Sequence, residues 1–193
     1  MIKWATSLLL LTAIACAGCA GRAAERDTLA QTDSSVPACT AAPTQARHEP
    51  GKVAVFFTCA SDSLPSAPRA LLRQAPPEDA ALETALKELL KGPNAEEQAA
   101  GFRSFFSGLT AGMLKRVTVT DEKRAIVDFA DFRDKMSNAS TSAGAGQLIR
   151  ELSKTVFQFD EIQEVEYQLD GSCDAFFQWL QSECHTISAS EYR

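Results

Sequence analysis

A chain of 193 residues, 45% hydrophobic and 23% charged, has the composition of one ordinary globular domain with residues left over for a tail. Lys plus Arg is 19 against Asp plus Glu 25, and the net charge of −6 gives no electrostatic reason to hold a nucleic-acid backbone. With only His48 and His185 available, a histidine triad or a multi-histidine metal site has almost nothing to draw on.

Met1 to Lys3 make a short positive start, and Trp4 to Ala15 an apolar run with the length of a signal-peptide core rather than a bilayer span. Small residues stand directly before Cys16 and Cys19, a pattern that resembles the lipobox of bacterial lipoproteins, in which the cysteine becomes the lipidated first residue. Two cysteines compete for that role. Cleavage before Cys19 leaves Cys39, Cys59, Cys173 and Cys184, an even set suited to an oxidising compartment, whereas cleavage before Cys16 leaves an odd thiol. Cys19 is therefore the expected lipidation site and Cys16 the alternative. Cys16 and Cys19 also read as C-x-x-C, but cleavage would separate the pair and no βαβ context surrounds it, so a redox role is not expected. Residues 1–18 are read as a lipoprotein signal peptide.

Residues 19–51 follow as a lipidated tether rich in Ala, Thr, Ser and Pro, with no aromatic residue, unable to bury enough surface to fold alone. If flexible, about 32 residues span about 30 Å root-mean-square. Cys39 is out of place in such a linker unless it is pinned to the domain.

The domain is read over residues 52–193. Lys52 to Thr58 carry the β-branched and aromatic residues of a buried strand, and Pro65, Pro68, Pro76 and Pro77 are expected to keep the next stretch irregular. Leu82, Ala85, Leu86, Leu89 and Leu90 then repeat at helical spacing, with Pro77 a candidate first helical position and Gly92-Pro93 the stop. Asn94 opens a second short turn that Gly101 ends. Leu114–Thr120 and Arg124–Phe129 flank Asp121-Glu-Lys123 as a β-hairpin, with Val117 and Val119 on one face and Ala125, Val127 and Phe129 likewise aligned. Ser137 to Gly146 is expected to be a loop, followed by a helix with Leu148, Ile149, Leu152, Val156 and Phe159 on its stripe. In Gln163–Leu169 the apolar Val165, Tyr167 and Leu169 alternate with Glu164, Glu166 and Gln168, the pattern of a strand with one wet face. A short helical cap between Cys173 and Cys184 and an edge strand over His185–Ser188 complete the chain. The order β-α-β-β-α-β predicts an α+β two-layer sandwich, a small mixed sheet with two helices on one face and the other face open.

Val53–Phe57, Leu89–Pro93, Glu97–Gly101, Leu114–Val119, Ala125–Phe129, Phe157–Phe159 and Val165–Gly171 together resemble, in that order, the GerMN domain of sporulation and spore germination lipoproteins. The resemblance covers nearly all of residues 52–193. The sequence departs from the family pattern at Asn94 and Phe157, where threonine is usual, in its four mature cysteines, and in carrying one copy of the domain. The resemblance implies a fold similar to ring-building motifs of envelope-spanning assemblies, an extracytoplasmic location and no known catalytic activity.

Candidate sites are few. Asp160, Glu161, Glu164, Glu166 and Asp170 could suggest a cation site, but alternation places Glu164 and Glu166 on the solvated sheet face, within reach of Arg124 or Arg116. Gly144-Ala-Gly146 lacks the third glycine and the Lys-Ser/Thr of a phosphate loop. His185 beside Cys184 has no second acid at motif spacing, and Asn138-Ala-Ser140 is a glycosylation sequon without meaning in a bacterial lipoprotein. Phe102, Phe105 and Phe106 could be an exposed docking patch, but core filling is the expectation. No catalytic, cofactor or metal residue is assigned. The expected function is that of a non-catalytic envelope lipoprotein, anchored by its lipid and binding other envelope proteins through the open sheet face or a strand edge. The alternative is a peptidoglycan- or small-ligand-binding or enzymatic envelope domain. Ala20 after Cys19 lacks an inner-membrane retention aspartate, so an outer-membrane anchor facing the periplasm is expected in a Gram-negative host. Of the three possible cysteine pairings, local closure of Cys173 with Cys184 and of Cys39 with Cys59 is favoured, with Cys59 to Cys173 or Cys184 left as the competing map.

Overall fold

The computed structural model describes residue 39 and residues 51–63, 66–75 and 81–192. The signal segment, Cys16, Cys19, Pro65, Pro76, Pro77 and most of the tether lie outside the described residues.

β1 (Lys52–Cys59) is buried along all but its first residue, which accounts for its nearly continuous apolar sequence. It pairs antiparallel with β2 (Arg69–Gln74), from Lys52 opposite Gln74 to Phe57 opposite Arg69. The expected irregular stretch is thus a strand for six residues. The described proline of that region, Pro68, sits immediately before β2 rather than inside it, where it removes no ladder donor. On the other edge, Thr58 and Cys59 pair with β3 (Phe102–Arg103).

Between these strands lie α1 (Ala81–Leu90) and α2 (Ala95–Ala99). Ala85, Leu86, Leu89 and Leu90 of α1 are fully buried, the stripe that the sequence spacing defines. Gly92 follows at φ +71°. Asn94 and Glu97 form a capping box: the Glu97 amide donates to Asn94 Oδ1 (2.9 Å) and the Asn94 amide donates to Glu97 Oε2 (2.8 Å). The buried Glu97 also pairs with Arg73 of β2 at 2.7 Å, tying α2 to the first sheet.

The second sheet has the order β4-β5-β6-β7. β4 (Leu114–Val119) and β5 (Arg124–Phe129) form the expected hairpin. β5 and β6 (Glu164–Leu169) are parallel, which requires a crossover, and α3 (Ser142–Val156) supplies it. β7 (Ile187–Ser188) closes antiparallel on β6, after α4 (Cys173–Trp179). The strands therefore divide between two sheets, where the sequence pattern suggested one, and the α+β class stands. The helix expected after Gly146 starts earlier, capped by Thr141 Oγ1 on the Gly144 amide (3.1 Å). Gly144 lies in its first turn, at a position only glycine fits, since a Cβ there would stand 2.2 Å from the Asn138 carbonyl oxygen.

One core joins all of this. Val53, Val55 and Phe57 of β1, the α1 leucines and Leu148, Leu152 and Val156 of α3 meet Ala125, Val127 and Phe129 of β5 and Val165, Tyr167 and Leu169 of β6. Phe176 of α4 packs on Tyr167 at 5.4 Å between ring centroids, so this helix covers the same sheet face. Phe102 and Phe106 belong to this core rather than to a surface patch, while Phe105 is partly buried against it.

Candidate functional site

Glu151 of α3 is fully buried. Helical spacing puts it there, because it stands three residues after Leu148 and beside Leu152 on the stripe that faces the core. Thr58, at the end of β1, donates to its Oε1 at 2.7 Å, and Gln147, one turn earlier in α3, donates Nε2–H to the same oxygen at 2.7 Å. Ser104, just after β3, donates to Oε2 at 2.5 Å and accepts from the Phe106 amide at 3.1 Å. These bonds favour the carboxylate, but loss of water outweighs them and pushes the carboxyl up to about 8.

Above this network lies a cleft of about 280 Å³, walled by Cys59, Ala60 and Phe105 and flanked by Asp62 and Arg103. Arg103 is committed to the carbonyls of Gln98 (2.8 Å) and Phe102 (2.6 Å), and Asp62 to Arg69 (2.6 Å). Gln147 also lines the cleft, is 4% exposed, and its Oε1 has no hydrogen-bond partner among the described residues. The floor therefore presents acceptors, a carboxyl group and an amide carbonyl, beneath apolar walls. Sequence reading passed over Glu151, Gln147, Thr58 and Ser104, which come from three separate segments.

The second feature is the outer face of the β4–β7 sheet. Arg116, Thr118, Arg124, Ile126, Glu164 and Glu166 share it, opposite the core-facing set. Arg124 donates to Glu164 across the parallel ladder, Nε at 2.9 Å and a terminal nitrogen at 2.8 Å from Oε2. Arg124, rather than Arg116, is thus the partner of Glu164, and Glu166 accepts from Gln168 at 2.6 Å. Asp170 is held by Lys115 at 3.0 Å. Among the described residues no group of three His, Cys, Asp or Glu is placed to hold a metal ion.

The cysteines pair as Cys39 with Cys59 and Cys173 with Cys184, with Cα separations of 5.6 and 5.4 Å. Cys39 is 2% exposed and its amide donates to the Ala100 carbonyl at 3.1 Å, so this part of the tether is fixed to the domain. His185 packs at a tilt of 45° against Phe177, 4.2 Å between ring centroids, and its Nδ1 meets the Glu183 carbonyl, beside a cysteine committed to a disulfide. Asn138 is exposed at φ +65°, and Gly144 and Gly146 are helical residues, not a phosphate loop. No helix among the described residues is long and apolar enough to cross a membrane.

A hairpin and a parallel β-α-β unit on one core, stapled by two disulfides, define a small α+β domain. The chain belongs to the Germane family, described as sporulation and spore germination, whose model matches residues 55–173. Among solved structures it is similar to the first GerMN domain of the sporulation protein GerM from Bacillus subtilis, with 20% identity and a TM-score of 0.47 over 62% of this chain and 83% of that one. The tandem GerMN domains of the same protein give 19% identity and a TM-score of 0.44, covering 62% of this chain and 39% of that one. A candidate lipoprotein from Clostridium perfringens gives 16% and 0.37, over 67% and 82%. No curated protein matches the chain.

Proposed function

We propose that this chain is a non-catalytic envelope lipoprotein, held to a membrane through lipid on Cys19, whose GerMN domain docks other envelope proteins on the outer face of the β4–β7 sheet. The observation that carries this reading is that face itself. It presents Arg116, Thr118, Arg124, Glu164 and Glu166 on the side of the sheet away from the core, and among the described residues β4 ends the sheet with one edge unpaired. A mixed-charge face beside a free edge suits a protein partner that adds a strand or matches the charges. The two disulfides support an oxidising, extracytoplasmic setting.

The test is affinity purification from crosslinked envelopes, comparing the wild-type chain with an Arg116→Glu, Glu166→Lys variant. A stoichiometric protein recovered by the first and lost by the second supports the reading; equal recovery, or lipid and murein alone, overturns it. The anchor has its own test in detergent-phase partitioning. Partitioning lost in Cys19→Ala and kept in Cys16→Ala supports Cys19, and the reverse result moves the lipid to Cys16.

A further inference from the structure

The Glu151 cleft is separate from the outer sheet face and asks for its own occupant. A buried carboxyl group is costly as an ion unless a cation accompanies it, since hydrogen bonds alone do not neutralise its charge. Glu151 has three donors in Thr58, Ser104 and Gln147, but among the described residues no Lys or Arg pairs with it. Arg103, which lines the cleft, is turned to two backbone carbonyls. Independently, the buried Oε1 of Gln147, a residue that lines the same cleft, has no donor among the described residues. Both deficits have one sign: among the described residues the Glu151 carboxyl has no cation beside it, and Gln147 Oε1 has no N–H or O–H group to accept from.

We infer that this cleft binds a primary ammonium group, which donates to Gln147 Oε1 and to the Glu151 carboxylate while its alkyl stem lies against Phe105 and the Cys59 side of the wall. A volume of about 280 Å³ falls just below the roughly 300–1,000 Å³ of pockets for drug-sized ligands, so the occupant is a short amine or one side chain. A bare metal ion fits less well, because a single carboxylate offers little ligand charge and the walls are apolar. Ser104, the half-exposed member of the network, is the group that moves: its hydroxyl leaves Glu151 Oε2 and the ammonium takes its place.

Binding is coupled to protons. The groups around Glu151 are Thr58 from β1, Ser104 from the segment after β3 and Gln147 from α3, none of which titrates near neutrality, with Asp62 and Arg103 further out and already paired. The ammonium requires the carboxylate, whereas the empty site keeps its proton up to about pH 8. Affinity therefore rises with pH up to that point, and binding releases a proton.

The test is calorimetric and NMR titration of the full-length chain in detergent with n-pentylamine, at pH 8.5 and 6.5. Saturable binding is expected, at least tenfold weaker at pH 6.5, with proton release and resonance shifts centred on Gln147, Ser104 and Phe105. Pentanol and tetramethylammonium, which lack the charge and the N–H donors respectively, should fail to compete. Glu151→Gln should abolish binding, and Gln147→Leu should weaken it about tenfold, with circular dichroism confirming that each variant is folded. Nα-acetyl-lysine N-methylamide binding at least as tightly as pentylamine supports a partner's lysine as the source, and its exclusion while pentylamine binds supports a free amine. Absence of saturable binding, equal binding of pentanol, or Ca²⁺ bound in place of the amine overturns the inference.

Discussion

The side-chain amide of Gln158 grips both backbone polar groups of Ala54: the Ala54 amide donates to Gln158 Oε1 at 2.8 Å, and Gln158 Nε2 donates to the Ala54 carbonyl at 2.8 Å. Ala54 lies on the edge of β1 that β3 reaches only at Thr58 and Cys59, so the glutamine stands where a neighbouring strand would supply the ladder. Ala54 is 1% exposed, and unpaired buried groups cost about 1–3 kcal/mol each. Gln158→Ala is expected to lower the unfolding free energy by about 2–4 kcal/mol in urea denaturation. Gln158→Glu should also destabilise, because it keeps the acceptor for Ala54 N–H but sets an oxygen against the Ala54 carbonyl.

Glu151 makes stability fall as pH rises. Its carboxyl is raised to about 8 in the folded chain against an ordinary value of 4.5, so between these values the folded state holds a proton that the unfolded state has lost. The slope of unfolding free energy with pH is then negative; the contribution is intact below about 4.5 and gone above about 8. At about 1.4 kcal/mol per unit the loss has an upper limit near 5 kcal/mol. Denaturation from pH 5 to 9 should show this decline, and Glu151→Gln should flatten it. A wild-type profile with no decline over that window would refute the assignment.

Glu151 also marks the limit of what periodicity yields. The helical stripe of Leu148, Leu152 and Val156 was plain in the sequence, and Glu151 lies in phase with it, so its burial was legible. Its partners were not, because Thr58 and Ser104 reach it from positions 93 and 47 residues away in the chain. The hairpin and the β6 alternation were readable because β5 and β6 alternate between a buried and a wetter face, although in β4 Val119, expected to share the apolar face of Val117, is 48% exposed. β2 was hidden for the opposite reason: Arg69-Ala-Leu-Leu-Arg-Gln74 has no β-branched residue, and only pairing with β1 makes it a strand. The division into two sheets follows from that missed strand, since β2 and β3 both attach to β1.

Gly92 and Gly112 have similar backbone angles, φ +71° and +79°, but different surroundings. A Cβ on Gly92 would stand 2.2 Å from the Phe106 carbonyl oxygen, whereas a Cβ on Gly112 meets nothing within 4 Å among the described residues. Gly112→Ala should therefore cost only the left-handed backbone penalty, about 1–2 kcal/mol. Gly92→Ala adds a backbone collision to that penalty and should cost about 3 kcal/mol or more. Thermal melts of the two variants check the order, and equal losses would contradict the close approach of Phe106.

Reduction of the disulfides should act on the two ends of the domain separately. The Cys39–Cys59 bridge spans 20 residues and the Cys173–Cys184 bridge 11, so each restricts the unfolded chain by about 3 kcal/mol. Cys39→Ser with Cys59→Ser should lower stability by that order and leave the Cys173–Cys184 peptide intact in non-reducing mass mapping. A crosslinked peptide joining Cys59 to either C-terminal cysteine would contradict the pairing.

The Arg124–Glu164 pair separates stability from docking. Both side chains are 41% exposed, so water and salt screen their attraction and the pair contributes no more than about 1 kcal/mol to folding. Arg124→Glu alone places two carboxylates side by side across the parallel ladder and should cost about that amount. The exchange Arg124→Glu with Glu164→Arg restores the pair and should return stability to within about 0.5 kcal/mol of wild type. For a partner that reads the sheet face by charge, however, the exchange reverses two adjacent charges at once, and like-charge contacts across an interface cost several kcal/mol. Envelope capture should therefore be lost in the exchanged chain although its denaturation midpoint is wild-type. Capture that survives the exchange would place the docking surface away from this face.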